Sequence, residues 1–354
     1  MIDLFHHVSK FLKLNCYSES KYCYYIFGGD VMITDDYKVK LLEINKEIGI
    51  GPEEGPRWPK FIEWYIAGQV EVTVDTIITP TNKIPKLGYF VDVSKNYHGG
   101  YLKYKEQYNK TKQHTYKIES DYLDKIMTDK IMTKRGNWTK YTNQSTITFY
   151  YADSNYFGTD SYKTTPTIIK NIISDNKIAH KHTLHHKFKT QFPDKYKQYM
   201  MPSYYIKDKT NIPSKKIFKD KLWIMKPVST SKGEGISIIQ STDQLLSYIS
   251  TNKYNQYGWI LEEYILSPLL YKQHKFHIRM YMLYYKQAYL FEYGGIITAK
   301  SKYKHGEYNN KNIHDTHNEN TDTKLYFPKD FATDKSVYVF EQMKDVSKYL
   351  GKLL

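Results

Sequence analysis

The stretch Lys-Phe-His-Ile-Arg at residues 275–279 opens a run of β-prone residues, which predicts a strand. Side chains alternate between the two faces of a strand, so Lys275, His277 and Arg279 should project together, with the apolar residues between them on the other, buried face. Three basic side chains on one face make a candidate anion site. A solvated face of an edge strand is the alternative that this pattern leaves open.

Arginine is scarce in this chain, which gives Arg279 added weight. The chain contains 52 lysines and arginines, and only three of these are arginine. Because a guanidinium donates two parallel hydrogen bonds that lysine cannot reproduce, an arginine kept in a lysine-rich chain suggests bidentate binding. The net charge of +15 favours acidic partners. Lysine, tyrosine, isoleucine and asparagine dominate together, as in A+T-rich coding sequences, so we do not take the charge as a sign of specific nucleic-acid binding.

Length and composition exclude several classes of protein. The 354 residues, 40% of them hydrophobic, can bury a sizeable core. No apolar run approaches the roughly 20 residues that span a bilayer, and Met1–Asn15 lacks the core of a signal peptide. Two cysteines, Cys16 and Cys23, are too few for a disulfide framework or a four-ligand zinc site. We therefore expect free thiols and a cytoplasmic setting, or the host cytoplasm if the source is viral.

A second candidate site surrounds Lys226. This lysine follows the apolar residues 222–225 and precedes the polar loop Ser229–Gly235. A lysine at the end of a buried strand beside a glycine-containing loop can meet nucleotide phosphates with its ammonium group and with the N–H groups of the loop. The loop matches neither the P-loop nor the dinucleotide fingerprint, and a surface lysine before a turn is the alternative.

Acidic and amide side chains mark a predicted hairpin over residues 22–45. Glu43 and Asn45 are two residues apart on one strand and so share a face, and Asp30 lies on the other arm. Three oxygen ligands that converge on a sheet suit Mg²⁺ held between protein and phosphates. A polar strand face in solvent explains the pattern equally well.

The remaining periodicities mix helices and strands, which predicts an α+β or α/β protein. Helices are expected at Pro59–Asp75, Leu123–Arg135, Thr167–Ile173, His180–Gln191 and Thr333–Leu353. The segment Thr79–Tyr122 has poor periodicity and is interpreted mainly as a connector.

Taken together, these motifs resemble the tubulin–tyrosine ligase family, a branch of the ATP-grasp ligases. The residues that carry the resemblance are WIMKP at 223–227, SKGEGI at 231–236, WILEEYI at 259–265, SPLLYKQHKFHIR at 267–279, RGNW at 135–138, the segment His314–His317, and FGGDVMITDDYKVKLLEIN at 27–45. Each motif alone is weak, but their number and spacing make the signal strong. The resemblance implies an ATP-grasp fold with mixed antiparallel sheets and flanking helices.

The resemblance also implies roles for the candidate residues. For binding of ATP it implies Lys226, Ser231, Lys232, Gly233 and Gly235 at the phosphates, Glu262, Glu263, Tyr264 and Ile265 at the adenine hinge, and also His277. For catalysis it implies Lys275, Arg279 and Thr316, and for Mg²⁺ it implies Asp30, Glu43 and Asn45. In the implied reaction ATP phosphorylates a carboxylate, and the amine of a free amino acid then displaces the phosphate. The implied acceptor is an acidic protein, for example a tubulin-like tail, and neither a membrane nor a specific nucleic acid is expected as a partner.

The order of the motifs differs from the family order, in which the hairpin element follows the K-F-D-I-R element instead of preceding it. The match between VSKFL at 8–12 and VSKYL at 346–350 places the same family helix at both ends of the chain. We therefore expect a module that is circularly permuted or cut from a tandem. Its expected parts are a C-terminal part at 1–78, a connector at 79–122, an N-terminal lobe at 123–215, and central and C-terminal lobes at 216–354. The module would close within one chain, or between two copies by self-association.

Departures from the family pattern leave two functional hypotheses open. His277 replaces the aspartate of K-F-D-I-R, His317 stands where an asparagine is expected, and Thr298 or its neighbours take the place of a family arginine. The first hypothesis is an ATP-dependent ligase that adds an amino acid to a protein carboxylate. The second is a degenerate, non-catalytic relative that binds nucleotide or an acidic protein partner.

Overall fold

The computed structural model describes most of the chain. The described residues are 22–46, 58–78, 89–94, 113–120, 123–142, 145–152, 166–171, 178–230, 233–252, 257–314, 316, 325–331 and 333–354. The chain divides into two compact units. The first unit comprises Met1–Gly28, Lys46–Ile173 and Tyr281–Glu292, and the second comprises Gly29–Asn45, Ser174–Met280 and Tyr293–Leu354.

Strands and helices alternate irregularly along the described residues. The strands are β1 (Tyr22–Ile33), β2 (Val39–Asn45), β3 (Phe90–Asp92), β4 (His114–Glu119), β5 (Trp138–Lys140), β6 (Phe149–Ala152), β7 (Ile168–Asn171), β8 (Ser203–Ile206), β9 (Trp223–Pro227), β10 (Ser237–Ile239), β11 (Trp259–Glu263), β12 (Leu270–Tyr271), β13 (His274–Tyr285), β14 (Gln287–Phe291), β15 (Gly294–Lys302) and β16 (Leu325–Phe327). The helices are α1 (Trp58–Val70), which continues as a π-helical turn over Glu71–Asp75 and a short turn over Thr76–Ile78, α2 (Leu123–Lys134), α3 (Lys181–Gln191), α4 (Pro193–Tyr199), α5 (Thr242–Thr251), α6 (Lys311–His314) and α7 (Ser336–Leu353). Short 3₁₀ turns lie at Lys209–Asn211, Lys215–Phe218 and Lys329–Phe331. The predicted α+β class is confirmed.

Parallel strands form the sheet of the first unit. β4 pairs in parallel with β5 and with β6, β6 pairs with β7, and β7 pairs with the first residues of β1. All four residues of β6 are buried, which is typical of a parallel strand covered on both faces. α1 packs against α2. At the end of α2, Arg135 donates a hydrogen bond of 3.0 Å from a terminal nitrogen to Asp75 in the π-helical turn.

An aromatic cluster forms part of the core of the first unit. Phe61 and Tyr65 of α1 contact Phe90, Tyr281 and Phe291, with ring centroids 5.2 to 5.8 Å apart. Aromatic pairs at these distances, half of them here edge-on, contribute beyond the area they bury. The strand pair that carries Phe90 and Phe291, β3 and β14, is antiparallel.

Three elements differ from the sequence predictions. Thr167–Ile173, predicted to be a helix, contains β7, because the β-branched residues Ile168 and Ile169 find parallel partners that a local pattern does not reveal. Thr79–Tyr122, expected mainly as a connector, contributes β3, which pairs antiparallel with β14, and β4, which pairs in parallel with β5 and β6. Cys23 forms a disulfide, so the prediction of free thiols is wrong. A low cysteine count excludes a framework of bridges but not a single one.

The second unit contains a four-stranded antiparallel sheet in the order β10-β9-β11-β8. Its packed face shares one core with α5, formed by Ile206, Trp223, Met225, Ile239, Leu245, Ile249, Trp259 and Leu261. Ser241 caps the start of α5 by accepting a hydrogen bond from the backbone of Gln244. Because alternate residues of β9 and β11 point into this core, Lys226 and Glu262 project from the opposite face of the sheet.

A larger sheet, which also contains β1, carries the Lys-Phe-His-Ile-Arg stretch in this unit. Residues 274–279 of β13 pair antiparallel with β15, which pairs with β16. A Cβ atom at Gly294 would lie 2.5 Å from a side-chain carbon of Ile278, so the close approach of these two strands requires glycine there. β13 is an interior strand, with β15 and β1 as neighbours, which excludes the edge-strand alternative.

The hairpin of β1 and β2 is joined to the rest of the second unit within one chain. The backbone N–H of Val39 donates to the side-chain oxygen of Gln342 in α7 at 3.1 Å, and the side-chain nitrogen of Gln342 donates to the carbonyl of Tyr37 at 2.8 Å. The chain itself therefore brings the hairpin next to the Lys-Phe-His-Ile-Arg strand. The permuted origin and the module boundaries stay predictions, and the repeat at 8–12 lies outside the described residues.

Among the described residues, none of the helices combines the length and the apolar character that crossing a bilayer requires. The cytoplasmic setting stays a prediction.

Candidate functional site

One cleft in the second unit collects most of the predicted site residues. Strands β1, β2, β9, β10, β11 and β13 and the segment around α6 line it, and its empty volume is about 1110 Å³ including the part open to solvent. The predicted residues that line the cleft are Asp30, Glu43, Lys226, Gly233, Glu262, Glu263, Tyr264, Ile265, Lys275, His277 and Thr316.

Lys226 and Glu262 form a buried ion pair in this cleft. The ammonium of Lys226 donates to both carboxylate oxygens of Glu262, at 3.1 and 3.2 Å, across the paired strands β9 and β11. Lys226 is only 6% exposed, which excludes the surface-lysine alternative. Burial alone would raise the pKa of Glu262, but the charge of Lys226 and the nearby His185 outweigh burial and hold this pKa below its usual range. Glu262 is therefore an anion at neutral pH.

In the glycine-containing loop after β9, the structure describes Ser229, Thr230 and the residues from Gly233 onward. Gly233 and Gly235 have φ values of 71° and 72°, a left-handed conformation that favours glycine. Thr230 donates from its hydroxyl to the carbonyl of Glu234 at 2.9 Å, which closes the loop. The predicted phosphate-binding residues Ser231 and Lys232 lie outside the described residues.

The predicted hinge residues at the end of β11 and just after it have different environments. Glu263 accepts a hydrogen bond from the ammonium of Lys221 at 2.6 Å. Tyr264 and Ile265 are buried. The Tyr264 hydroxyl receives a hydrogen bond from Lys275 at 2.8 Å, and the Lys275 nitrogen lies 4.3 Å from the centre of the Tyr264 ring. Lys275 is thus held at the wall of the cleft and does not extend into solvent.

His314 completes this wall. Its Nδ1 lies 2.7 Å from the Tyr264 hydroxyl and its Nε2 lies 3.0 Å from the carbonyl of Glu307. A hydroxyl that donates to Nδ1 and an Nε2–H that donates to the carbonyl satisfy both contacts with a neutral ring. Burial, together with the positive charge of Lys275, lowers the pKa of His314 from 6.5 to about 4. Two other residues of the His314–His317 segment, Asp315 and His317, lie outside the described residues.

The lowered pKa of His314 predicts that the folding stability of the protein decreases in acid. Below pH 6.5 His314 is protonated in the unfolded chain but stays neutral in the folded chain. Folding stability therefore falls as the pH falls toward about 4. Between pH 7 and pH 5, the wild type should lose about 1 kcal/mol more stability than His314→Gln, after allowance for solvent screening. Urea denaturation at both pH values measures the difference. Equal losses in the two proteins would contradict the buried neutral histidine.

Asp30 and Arg279 form the second ion pair of the site. Arg279 donates to the two oxygens of Asp30 from Nε and from a terminal nitrogen, each at 2.8 Å. Asn45 donates from its amide nitrogen to Asp30 at 3.3 Å. The bidentate contact expected of a retained arginine is thus present, and its partner here is a carboxylate of the protein itself.

His277 lies beside this pair and is 1% exposed. Its Nδ1 is 2.7 Å from the hydroxyl of Thr316, and its Nε2 is 3.9 Å from Asp30. The structure thus brings Thr316, His277, Arg279 and Asp30 together, as the resemblance implies. The imidazole occupies the place of the family aspartate and adds no negative charge there.

Lys181, on the first turn of α3, belongs to the site although no sequence motif marked it. Its ammonium lies 3.2 Å from a carboxylate oxygen of Glu43 and donates to the carbonyl of Thr230 at 3.0 Å. Lys181 is buried, and it connects the predicted metal residue Glu43 with the predicted phosphate loop. A lysine in a helix with several other basic residues carries no local signal of such a role.

The predicted Mg²⁺ ligands fit the ion by residue type. Asp30 and Glu43 face the same cleft, and Asn45 contacts Asp30. Two carboxylates and an amide next to lysines that can bind phosphate are the donor set of a Mg²⁺ site completed by phosphate oxygens. No cluster of three histidine, cysteine or acidic side chains that could hold a metal by itself occurs among the described residues. A protein-only metal cage is therefore not formed by this part of the chain.

Comparisons with known proteins identify the class to which this fold and site belong. A model of the tubulin-tyrosine ligase family matches residues 102–330, more than half of the chain. The chain therefore belongs to the tubulin-tyrosine ligase family, and the resemblance carried by the motifs is confirmed.

Curated relatives match over a shorter segment. The chain is 47% identical over 62 residues to tubulin glycylase 3B of Drosophila melanogaster, a match that covers 18% of this chain and 8% of the relative. It is 34% identical over 65 residues to tubulin glycylase 3C of Tetrahymena thermophila, covering 18% of this chain and 6% of the relative. The matched segment thus spans less than a tenth of each relative's length.

Two solved structures match this chain at low identity. The structure of a putative gamma-glutamylcysteine synthetase from Methylobacillus flagellatus KT matches with a TM-score of 0.49 and 9% identity, covering 99% of this chain and 93% of that chain. A glutathione synthetase-like effector, GSS30, from Globodera pallida matches with a TM-score of 0.39 and 11% identity, covering 83% of this chain and 77% of that chain.

Proposed function

We propose that this protein is an ATP-dependent carboxylate–amine ligase that adds an amino acid to a carboxylate of an acidic protein. Membership of the tubulin-tyrosine ligase family supports the reaction class. The observation that carries the proposal is the cleft lined by Lys226, Lys275 and Asp30, whose carboxylate accepts hydrogen bonds from Arg279. Fixed cationic groups and acidic groups at one cleft are what phosphoryl transfer to a carboxylate requires.

In the proposed reaction, a carboxylate oxygen of the acceptor attacks the γ-phosphorus of ATP, and ADP leaves. The amine of the amino acid then attacks the acyl carbon of the acyl phosphate, an amide bond forms, and phosphate leaves as the nitrogen loses a proton. Lys226 binds a phosphate of ATP, and Lys275 and Arg279 stabilise the negative charge of the transferring group. No side chain of the protein forms a covalent bond in this scheme.

Asp30, Glu43 and Asn45 would hold Mg²⁺, which supplies positive charge to the ATP phosphates. Arg279 and Lys181 contact the carboxylates of Asp30 and Glu43, respectively, and help to orient them. Glu262 and the backbone that follows it form the wall at which the adenine base would bind.

An exposed lysine-rich segment of the second unit supports an acidic acceptor. Residues 207–221 contain six lysines and two aspartates. All six lysines, Lys207, Lys209, Lys215, Lys216, Lys219 and Lys221, are exposed. A local excess of positive charge steers an acidic chain toward this unit. The tubulin glycylase relatives suggest that the acceptor is a tubulin-like tail.

The test of this function is ATP turnover with Mg²⁺, an acidic peptide and a mixture of amino acids. Glu43→Gln should lower turnover by about 100-fold or more, because a neutral amide holds the metal and orients phosphate less well. Glu63→Gln is the matched control, because Glu63 forms ion pairs with Lys130 and Lys134 in the first unit. The turnover rate is measured as the release of ADP and phosphate.

Three other outcomes of this assay are informative. Turnover unaffected by Glu43→Gln would discard the metal assignment. Thermal stabilisation by ATP without any turnover would favour the non-catalytic relative that binds nucleotide or an acidic partner. Folded protein that shows neither ATP turnover nor thermal stabilisation by ATP would contradict the assignment of a nucleotide site.

A further inference from the structure

His185, in the middle of α3, connects the Lys226–Glu262 pair to two hydroxyl groups. Its Nε2 lies 3.4 Å from a carboxylate oxygen of Glu262. Its Nδ1 lies 2.7 Å from the Ser203 hydroxyl and 2.9 Å from the Tyr196 hydroxyl. The ring is 5% exposed, so these contacts are largely shielded from water.

One arrangement of protons satisfies all of these contacts. An ionised carboxylate only accepts hydrogen bonds, whereas a hydroxyl can donate to a ring nitrogen. The His185 tautomer that fits therefore carries its proton on Nε2 and donates it to Glu262, while Nδ1 accepts from Tyr196 or Ser203. The two hydroxyls are 3.0 Å apart and orient each other. The network runs from the hydroxyls through His185 and Glu262 to the ammonium of Lys226.

We propose that His185 is a positioning residue of the nucleotide site, which holds Glu262 and thereby directs the Lys226 ammonium toward a nucleotide phosphate. The inference rests on the proposed function. A lysine ammonium is a point charge on a flexible stem, and a carboxylate partner limits its position only if that carboxylate is itself fixed. Lys226 fixes Glu262 from one side and His185 from another, so the pair cannot rotate together away from the cleft.

Two substitutions of His185 separate this role from packing. Glutamine can place its amide nitrogen near the position of Nε2 and still donate to Glu262, whereas the shorter asparagine retains contact only with the hydroxyl side. We expect His185→Asn to weaken Mg²⁺·ATP binding by about tenfold or more, the cost of losing a hydrogen bond to a charged group. His185→Gln should bind within about threefold of the wild type. His186→Asn, at an exposed position of the same helix, is the control.

Isothermal titration of the full-length chain with Mg²⁺·ATP, below the melting temperature of each variant, measures these affinities. In a Glu262→Gln background, His185→Asn should lower the Mg²⁺·ATP affinity little further, because the carboxylate that His185 contacts is already removed. A purely structural role would lower the melting temperature of both His185 variants without separating their affinities, and that result would overturn the inference. Equal affinity of His185→Asn and the wild type would overturn it as well.

A second pair of substitutions covers the case in which His185→Asn does not fold. Tyr196→Phe combined with Ser203→Ala keeps the His185 side chain but removes the hydroxyls that donate to its Nδ1. Because the ring is then oriented less firmly toward Glu262, this double variant should weaken Mg²⁺·ATP binding several-fold. Unchanged binding in this double variant would count against the network. A folded wild type that binds no Mg²⁺·ATP would instead contradict the proposed function itself.

Discussion

Lys226→Met should lower the affinity for Mg²⁺·ATP by about 100-fold or more, to below detection in a calorimeter. Methionine matches the apolar stem of lysine in length, so the substitution removes the charge with little change in packing. Lys226 is the buried cation at the end of β9, next to the glycine-containing loop, and it projects into the cleft. No other cation emerges from the same strand to replace it.

The stability of this variant needs a separate control. Without Lys226, the buried carboxylate of Glu262 loses its bidentate partner, which we expect to cost about 3 kcal/mol of folding free energy. Lys226→Met combined with Glu262→Gln should recover much of that stability and none of the ATP affinity. Lys221→Met, at a half-exposed lysine just before β9, should change neither the folding stability nor the ATP affinity strongly. Wild-type affinity in folded Lys226→Met would show that this lysine does not bind the nucleotide.

Arg279→Met should destabilise the protein by about 3–5 kcal/mol, because it leaves the carboxylate of Asp30 buried without its bidentate partner. Asp30 is only 2% exposed, so its carboxylate depends on protein partners such as this guanidinium in place of water. Arg279→Lys keeps the positive charge and loses the fork, and a smaller loss of about 1–2 kcal/mol is expected. Urea denaturation monitored by circular dichroism gives the free energies of unfolding.

The double variant Asp30→Asn, Arg279→Met tests whether the effect comes from the pair. Removing both charges should destabilise the protein less than Arg279→Met alone, since no unpaired charge stays buried. If Arg279→Met unfolds at the same urea concentration as the wild type, the pair contributes nothing to stability. If the double variant is as unstable as the sum of the single variants, the two residues act independently.

The sequence predicted much of the site because its strongest signals are local. Period two places Lys275, His277 and Arg279 on one strand face, and Glu43 and Asn45 on another. The scarcity of arginine singled out Arg279, and its bidentate contact with Asp30 agrees with the reason given for its retention. What the pattern did not reveal is that the partner is Asp30, which lies 249 positions away in the chain.

The parts that the sequence did not predict depend on contacts between distant segments. Ile168 and Ile169 form a strand because β1 and β6 pair with it, and a single-segment pattern does not contain that information. Lys181 and His185 lie on α3 among other basic residues, and only the folding of α3 against β11 and β2 gives them acidic partners. Their positions in the site therefore could not be read from spacing, whereas the strand faces on which Lys226 and Arg279 lie could.

The most direct test of the account is calorimetric titration of the wild-type chain with Mg²⁺·ATP. The account predicts saturable binding at one site per chain, which is lost in Lys226→Met and retained in Lys221→Met. Folded wild-type protein that binds no Mg²⁺·ATP, or that binds it equally well after Lys226→Met, would contradict the assignment of the cleft as a nucleotide site.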